Sequence, residues 1–308
     1  MQIGALIVAA GMSSRMGDFK PMLNIGSISV AQRVVATLSQ AGVSKIVMVT
    51  GYNATALERH LAGNGIIFLR NENYRTTQMF DSVKIGLSYL LDKCDKVLFT
   101  PVDVPLFTAK TVKTILDSKA PLVVPVCEGE QGHPILISND LIPEILSDCG
   151  KTGLRGALER CSVPLLRIEV EDPGTIHDAD TPEDFSALVE YHNAQLVRPV
   201  VSVSLAKEKP FFDNKIATLL MLIDETKSVR AASQRMQLSY SSCWNIIRTL
   251  ESQLNYSLIE RSQGGAGGST SVLTDRGQEL LERYNAYEKV LKDEANKLYD
   301  QYFGGIFE

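Results

Sequence analysis

The stretch "ALIVAAGMSSRMGDFKPML", residues 5–23, carries six apolar residues, Ala5 to Ala10, straight into Gly11. Small and polar residues follow, and then two cations, Arg15 and Lys20. A run this short and this apolar reads as a strand buried on both faces. In an open parallel sheet, ligands bind beyond the carboxyl ends of the strands, which is where Gly11 falls. Glycine and serine there let backbone N–H groups turn toward an anion, while Arg15 offers a planar fork and Lys20 a point charge. No GK[ST] follows and the spacing is not GxGxxG, so a nucleoside triphosphate is favoured over a dinucleotide. Standing alone, the loop reads first as a solvated Gly-Ser turn.

Its surroundings extend the pattern. "KIVMVT", "GIIFL", "KVLFTPV" and "PLVVPV" read as further buried strands, and "VAQRVVATLSQAG", "TALERHLAG", "FDSVKIGLSYLLDK" and "AKTVKTILDSK" as amphipathic helices between them. Strands alternating with helices predict an α/β domain with a mostly parallel sheet over residues 1–192. Asp103 follows "KVLFTPV" directly, a carboxylate at a strand end facing the same crevice as the glycine loop. Mg²⁺ is held by one or two carboxylates together with substrate phosphates, so Asp103 is a candidate ligand; the alternative is a loop or cap aspartate. In "IHDADTPEDF", Thr181 and Pro182 can open a helix, leaving Asp178 and Asp180 just ahead of it, and Asp180 is the preferred second ligand.

The totals bound the class. A chain of 308 residues, 44% apolar and 22% charged, suits two globular domains. A net charge of −5 gives no overall signal for nucleic acid or membrane, though a local basic face remains open. Five scattered cysteines without a CxxC pair read as reduced thiols, and no run approaches the roughly 20 apolar residues that cross a bilayer. The N-terminal run lacks a basic flank and is not expected to be a signal peptide, so the cytoplasm is the expected location.

Residues 193–210, with two prolines and the short alternating run "VVSVSL", read as a linker and lead-in strand. From residue 211 to 308 the grammar is helical. Helices around "VRAASQRMQ" and "YSSCWNIIRTLESQL" are joined by a turn at Gln237 to Ser239, with Leu238, Ile246, Ile247 and Leu250 in their seam. "RSQGGAGGSTSVLTDRG" then reads as a hairpin wing, ahead of a long last helix, Asp275 to Tyr302. Hydroxyls opening the second helix, from Ser239, Tyr240 and Ser241, together with Arg261 at the wing, suit phosphates and base edges of DNA. From Ser228 to Arg276 five arginines face three acids, 5 − 3 = +2, a modest excess. Trp244, the one tryptophan, is expected in the core.

"VAAGMSSRMGDFKPML", "NENYRTTQMFDSVKIGL", "TPVDVPLF", "GEQGHPILIS", "LRGAL" and "IHDADTPEDF", in this order, resemble the molybdenum-cofactor cytidylyltransferases over roughly the first 190 residues. The resemblance implies a Rossmann-like nucleotidyltransferase fold and transfer of CMP from CTP to a molybdopterin-type cofactor, with Mg²⁺, or Mn²⁺, as the ion. It further implies that Arg15, Lys20 and Asp103 are catalytic and that Asp103 and Asp180 hold the metal. Ala9, Ala10 and Gly11 would meet the nucleotide through their backbone and Ser82 through its side chain, and Gly132, His133 and Pro134 would face the pterin, with His133 reading equally as a buried core histidine. "VAAG" stands where guanylyl-transferring relatives carry "LAGG", which points to cytosine. Gln78 and Val102 depart from the family pattern, which has glycine at both places.

Roughly residues 198 to 303, with "KEKPFF" and "GGAGG", resemble the winged helix-turn-helix domain of molybdate-responsive transcription regulators. That implies DNA binding through residues 211–308 as a homodimer paired by the long helix. The molybdate-sensing domains of such regulators are not in the sequence, so any regulatory signal is expected from the enzyme domain's ligand. Three other readings stay open: a sensor that binds nucleotide without turnover, a guanylyl- or sugar-phosphate nucleotidyltransferase, and a tail that only dimerises.

Overall fold

The computed structural model describes residues 2–11, 19–62, 65–177, 192–193, 199–262 and 270–303. They form two compact units, one from residues 2–61 and 66–193 and the other from residues 62, 65 and 199–303.

The first unit is α/β. Its sheet comprises β1 (Ile3–Ala9), β2 (Lys45–Thr50), β3 (Ile66–Arg70), β4 (Lys96–Pro101), β5 (Leu122–Cys127), β6 (Ile135–Ser138) and β7 (Leu166–Glu169). The strand order is β7-β5-β6-β4-β1-β2-β3, with the two-residue arm Glu130–Gln131 paired to the end of β5. β1, β2, β3 and β4 are mutually parallel, β7 is parallel to β5, and β6 runs antiparallel to both its neighbours. The helices are α1 (Val30–Gln40), α2 (Ala54–His60), α3 (Met79–Leu90), α4 (Ala109–Asp117), α5 (Ile142–Ser147) and α6 (Gly153–Glu159).

Central strands covered on both faces have no polar side to show, which explains their unbroken apolar runs. Ala5, Leu6 and Ile7 of β1 are fully buried, as are Val97, Leu98 and Phe99 beside them on β4. The α1 helix starts from a reciprocal cap: Gln32 N–H donates to Ser29 Oγ (3.2 Å), and Ser29 N–H to Gln32 Oε1 (2.9 Å).

The chain winds from β1 outward to β2 and β3, then returns to place β4 on the other side of β1. That reversal between β1 and β4 is the topological switch point, where open α/β sheets leave a crevice at the strand ends.

The second unit opens with a hairpin, β8 (Ser204–Ala206) and β9 (Pro210–Asp213). Three helices follow: α7 (Asn214–Thr226), α8 (Val229–Arg235) and α9 (Tyr240–Leu254). A second hairpin of β10 (Ile259–Ser262) and β11 (Thr270–Leu273) leads to the long α10 (Asp275–Phe303). Leu219, Leu222, Ile223, Ala232, Cys243, Ile247 and Leu250 are buried. In the seam Cys243 takes the place expected of Ile246, which is only half-buried. Tyr284 of α10 donates its hydroxyl to the Val203 carbonyl (2.8 Å) and packs edge-on against Phe212, ring centroids 4.8 Å apart.

Candidate functional site

Strand register builds the first site. Val8 on β1 lies beside Pro101 on β4, and Val102 N–H continues the ladder by donating to the Val8 carbonyl (3.0 Å). Ala10 and Gly11 therefore leave β1 next to where Asp103 leaves β4. Asp103 is half-buried, and Lys20 opens a short 3-10 turn, Lys20–Met22, at the far end of the glycine loop. Arg15, Asp178 and Asp180 lie outside the described residues.

Gly11 is informative because of what does not require it. A Cβ built there meets no described atom within 4 Å, and its backbone is not left-handed. Among the described residues, neither packing nor conformation demands glycine here.

On the other flank, Tyr52 N–H donates to the Ala10 carbonyl (3.2 Å), tying the end of β2 to the loop. A cleft of about 270 Å³ lies here, lined by Gly51, Asn53, Arg70, Asn71, Glu72 and Tyr74 among others. Tyr52 packs edge-on against Phe19, centroids 5.6 Å apart. Ser82, expected to touch the nucleotide, is buried; its hydroxyl accepts from Asn71 Nδ2 (3.0 Å), which also donates to Thr77 Oγ1 (2.9 Å). Ser82 thus stands behind Asn71, and Asn71 is the residue of the pair on the cleft. At its rim, Arg70 grips the fully buried Glu58 with both arms of its fork, at 2.9 and 2.7 Å, and Thr50 Oγ1 adds a third donor at 2.7 Å. That grip raises the Arg70 pKa.

The Gly132–Pro134 turn is anchored, not loose. Gly132 N–H donates to Pro125 O and His133 N–H to Thr175 O, each at 2.9 Å. A Cβ on Gly132 would stand 2.5 Å from the Thr175 carbonyl oxygen, so only glycine permits this approach. The His133 ring, expected to face an acceptor, packs edge-on against the core residue Phe99, centroids 5.5 Å apart. Burial pushes its pKa down to about 4, against a smaller opposing hydrogen bond to the Phe99 backbone, so the imidazole is neutral at physiological pH.

Nothing in the local sequence marks Asp172. This buried carboxylate accepts from Thr108 N–H (2.8 Å), Thr108 Oγ1 (2.9 Å), Thr111 Oγ1 (2.5 Å) and Gly174 N–H (3.1 Å). It locks the start of α4, just after Asp103, to the turn that holds Gly132. The signal was out of reach because its threonines lie 61 and 64 residues away.

Among the described residues no three His, Cys, Asp or Glu side chains gather as a metal site. The donor set fits a hard divalent ion nonetheless, since one strand-end carboxylate with substrate phosphates suffices for Mg²⁺.

The second site lies on α9. Ser239 caps the helix: its hydroxyl accepts from Ser242 N–H (3.0 Å) and bonds Ser241 Oγ (3.0 Å) and Ser242 Oγ (2.7 Å). Tyr240 and Ser241 are exposed, as is Arg261 on β10. Trp244, expected in the core, is half-buried, because the guanidinium of Arg261 covers its ring with Cζ 3.5 Å from the centroid.

Residues 5–165 match the family of the MobA-like NTP transferase domain, and residues 217–278 match the bacterial regulatory helix-turn-helix proteins of the lysR family. The molybdenum cofactor cytidylyltransferase of Escherichia coli K12 is 30% identical over 185 residues, 59% of this chain and 93% of that protein. The E. coli K12 DNA-binding transcriptional dual regulator ModE is 30% identical over 94 residues, 30% of this chain and 36% of the regulator, so the chain spans about a third of that protein's length. In fold, the first unit is similar to Rv0371c from Mycobacterium tuberculosis H37Rv (TM-score 0.53, 22% identity, 62% of this chain and 98% of that one), a protein also solved as a complex with manganese. The chain belongs to the MobA-like NTP transferase family and carries, after the transferase, a helix-turn-helix domain of the bacterial regulatory type.

Proposed function

We propose that the first domain transfers CMP from CTP to the terminal phosphate of a molybdopterin-type cofactor, releasing pyrophosphate. The observation that carries this reading is the junction at the switch point, where Gly11 and the carboxylate Asp103 leave adjacent strands. The match along 93% of a cytidylyltransferase supports the substrate choice.

The acceptor phosphate oxygen attacks the α-phosphorus of CTP; the new P–O bond forms as the bond to the β-phosphate oxygen breaks. The nucleophile is already anionic, so no general base is needed. The protein's task is to align two polyanions and offset charge on the leaving pyrophosphate. Ala9, Ala10 and Gly11 approach the phosphates through their backbone, and Arg15 and Lys20 offset the leaving charge. Asp103 and Asp180 would hold a divalent ion, Mg²⁺ or Mn²⁺, which supplies further positive charge at the phosphates. Asn71, braced by Ser82, faces the nucleotide. The Gly132–Pro134 turn borders the acceptor, with His133 as its anchor.

The second domain, in this reading, binds DNA through Ser239, Tyr240, Ser241 and Arg261, and pairs two chains through α10. Tyr287, Val290, Leu298 and Tyr302, spaced at three, eight and four residues, expose apolar surface along that helix and support pairing.

Pyrophosphate release from CTP in the presence of molybdopterin and Mg²⁺ tests the transferase; wild-type release that is lost in Asp103→Asn supports it, and no release from the folded wild type refutes it. A salt-sensitive electrophoretic shift of duplex DNA tests the second domain.

A further inference from the structure

Several cations of the second domain are held by carboxylates, and three arginines lie over aromatic rings, Arg276 over Tyr256 (5.1 Å) apart from the row formed by the other two, Arg230 and Arg261. Arg235 pairs with Glu225 (3.8 Å), Lys227 with Asp224 (2.8 Å), and on α10 Arg283, Lys292 and Lys297 each pair with a glutamate. Arg230 and Arg261 do not: each lies over an aromatic ring, with no carboxylate partner among the described residues. Arg230 Cζ is 5.3 Å from the Tyr240 ring centroid and Arg261 Cζ is 3.5 Å from that of Trp244. Tyr240 and Trp244, four residues apart on α9, meet edge to face at 6.1 Å. The result is one continuous row, Arg230–Tyr240–Trp244–Arg261, crossing from α8 over α9 to β10.

The difference in partner matters. A carboxylate orients an arginine but cancels its charge, and a phosphate must then displace it. An aromatic face orients the guanidinium by its quadrupole and leaves the charge intact, with the N–H edges of the plane turned outward. Both arginines are exposed, and Tyr240 is 45% exposed, so the row lies at the surface. The buried indole N–H of Trp244 has no acceptor among the described residues, so ring packing, and not its polar edge, sets its position.

We infer that Arg230 and Arg261 are two preset clamps for backbone phosphates of a DNA duplex, and that Tyr240 and Trp244 are the positioning residues that hold them. This rests on the reading of the second domain as a DNA binder. Planar forks with uncancelled charge match phosphate oxygens, and they bracket the helix whose first turn carries Ser239 and Ser241.

The test uses the full-length chain and a labelled duplex enriched on it from a random-core pool, with affinity measured across a salt series. Arg230→Gln and Arg261→Gln are each expected to lower the slope of log affinity against log salt by about one. Each should also weaken binding about tenfold. Trp244→Leu is expected to weaken binding a few-fold, whereas Trp244→Phe, which keeps an aromatic face, retains most of it. Trp244 is the only tryptophan, so its emission reports the stack directly. Arg261→Gln should shift that emission in the free protein and abolish its response to DNA. If Trp244→Leu does not fold, the exposed Arg261→Gln carries the test. Wild-type binding with unchanged salt slopes in both arginine variants overturns the clamps alone; failure of the wild type to enrich or bind any duplex overturns the DNA reading together with them.

Discussion

Val102 donates its N–H to the carbonyl of Val8 across 3.0 Å, and this one bond delivers Asp103 to the mouth of the glycine loop. It forms because β4 returns to the free side of β1. Both chain segments leave the sheet at its carboxyl edge, where backbone donors and a carboxylate can share one triphosphate.

Asp103→Asn is the sharpest chemical test of that arrangement. Asp103 is half-buried at a strand end, and the substitution keeps its volume. Metal-dependent pyrophosphate release is expected to fall at least about 100-fold. The thermal midpoint should stay close to wild type, and a variant that turns over normally would remove Asp103 from the site.

Gly11→Val separates function from stability. A Cβ at Gly11 meets no described neighbour within 4 Å and no left-handed strain, so stability is expected to change by less than about 0.5 kcal/mol. Bulk on the crevice side should raise the nucleotide KM at least about tenfold. Calorimetry and steady-state kinetics check the two halves; an unaffected KM would show that the nucleotide does not approach Gly11.

Much of this was legible in the sequence, and the exceptions share a cause. β1, β2, β4 and β5 announce themselves because central strands covered on both sides are continuously apolar. β7 does not: it is an edge strand, its residues Leu166, Arg167 and Glu169 are exposed, and its pattern looks like loop. β6 has four residues and follows the Gly132–Pro134 turn, while the short α5 carries Pro143 and the short α6 Gly153 and Gly156, which break a helical period. At the site, the glycine loop and Asp103 could be read because each lies beside its own strand. Asp172 and the arginine over Trp244 could not, because their partners come from other elements, and Asn71 could not because nothing in its type or spacing marks which of the pair with Ser82 lines the cleft.

Asp172→Asn is expected to destabilise the first domain by about 2–3 kcal/mol. One oxygen, Oδ2, accepts from three donors, so an amide must either turn N–H groups toward donors or abandon Gly174. Urea unfolding measures the loss, and an unchanged midpoint would show the network to be dispensable.

Acid stability gives a test of a different kind. His192 is buried, with Nδ1 3.0 Å from Nη1 of the buried Arg33 and Nε2 3.1 Å from Thr37 Oγ1. Burial first, and the Arg33 charge second, push its pKa from an ordinary 6.5 down to about 4. The unfolded chain therefore binds a proton between about pH 6.5 and 4 that the folded chain refuses. Stability is full above that window, and His192 alone lowers it by about 3 kcal/mol as pH drops through it. His133 titrates in the same window and direction. His192→Gln should thus remove about half of the fall, as read from unfolding midpoints at stepped pH; an undiminished fall would assign it to other groups.

The central claim is tested most directly by pyrophosphate release with molybdopterin and Mg²⁺, offering CTP, GTP, ATP and UTP separately to the full-length protein. Clear preference for CTP, dependent on molybdopterin, is the expected result. Preference for GTP, or silence with all four from folded protein, would contradict cytidylyl transfer.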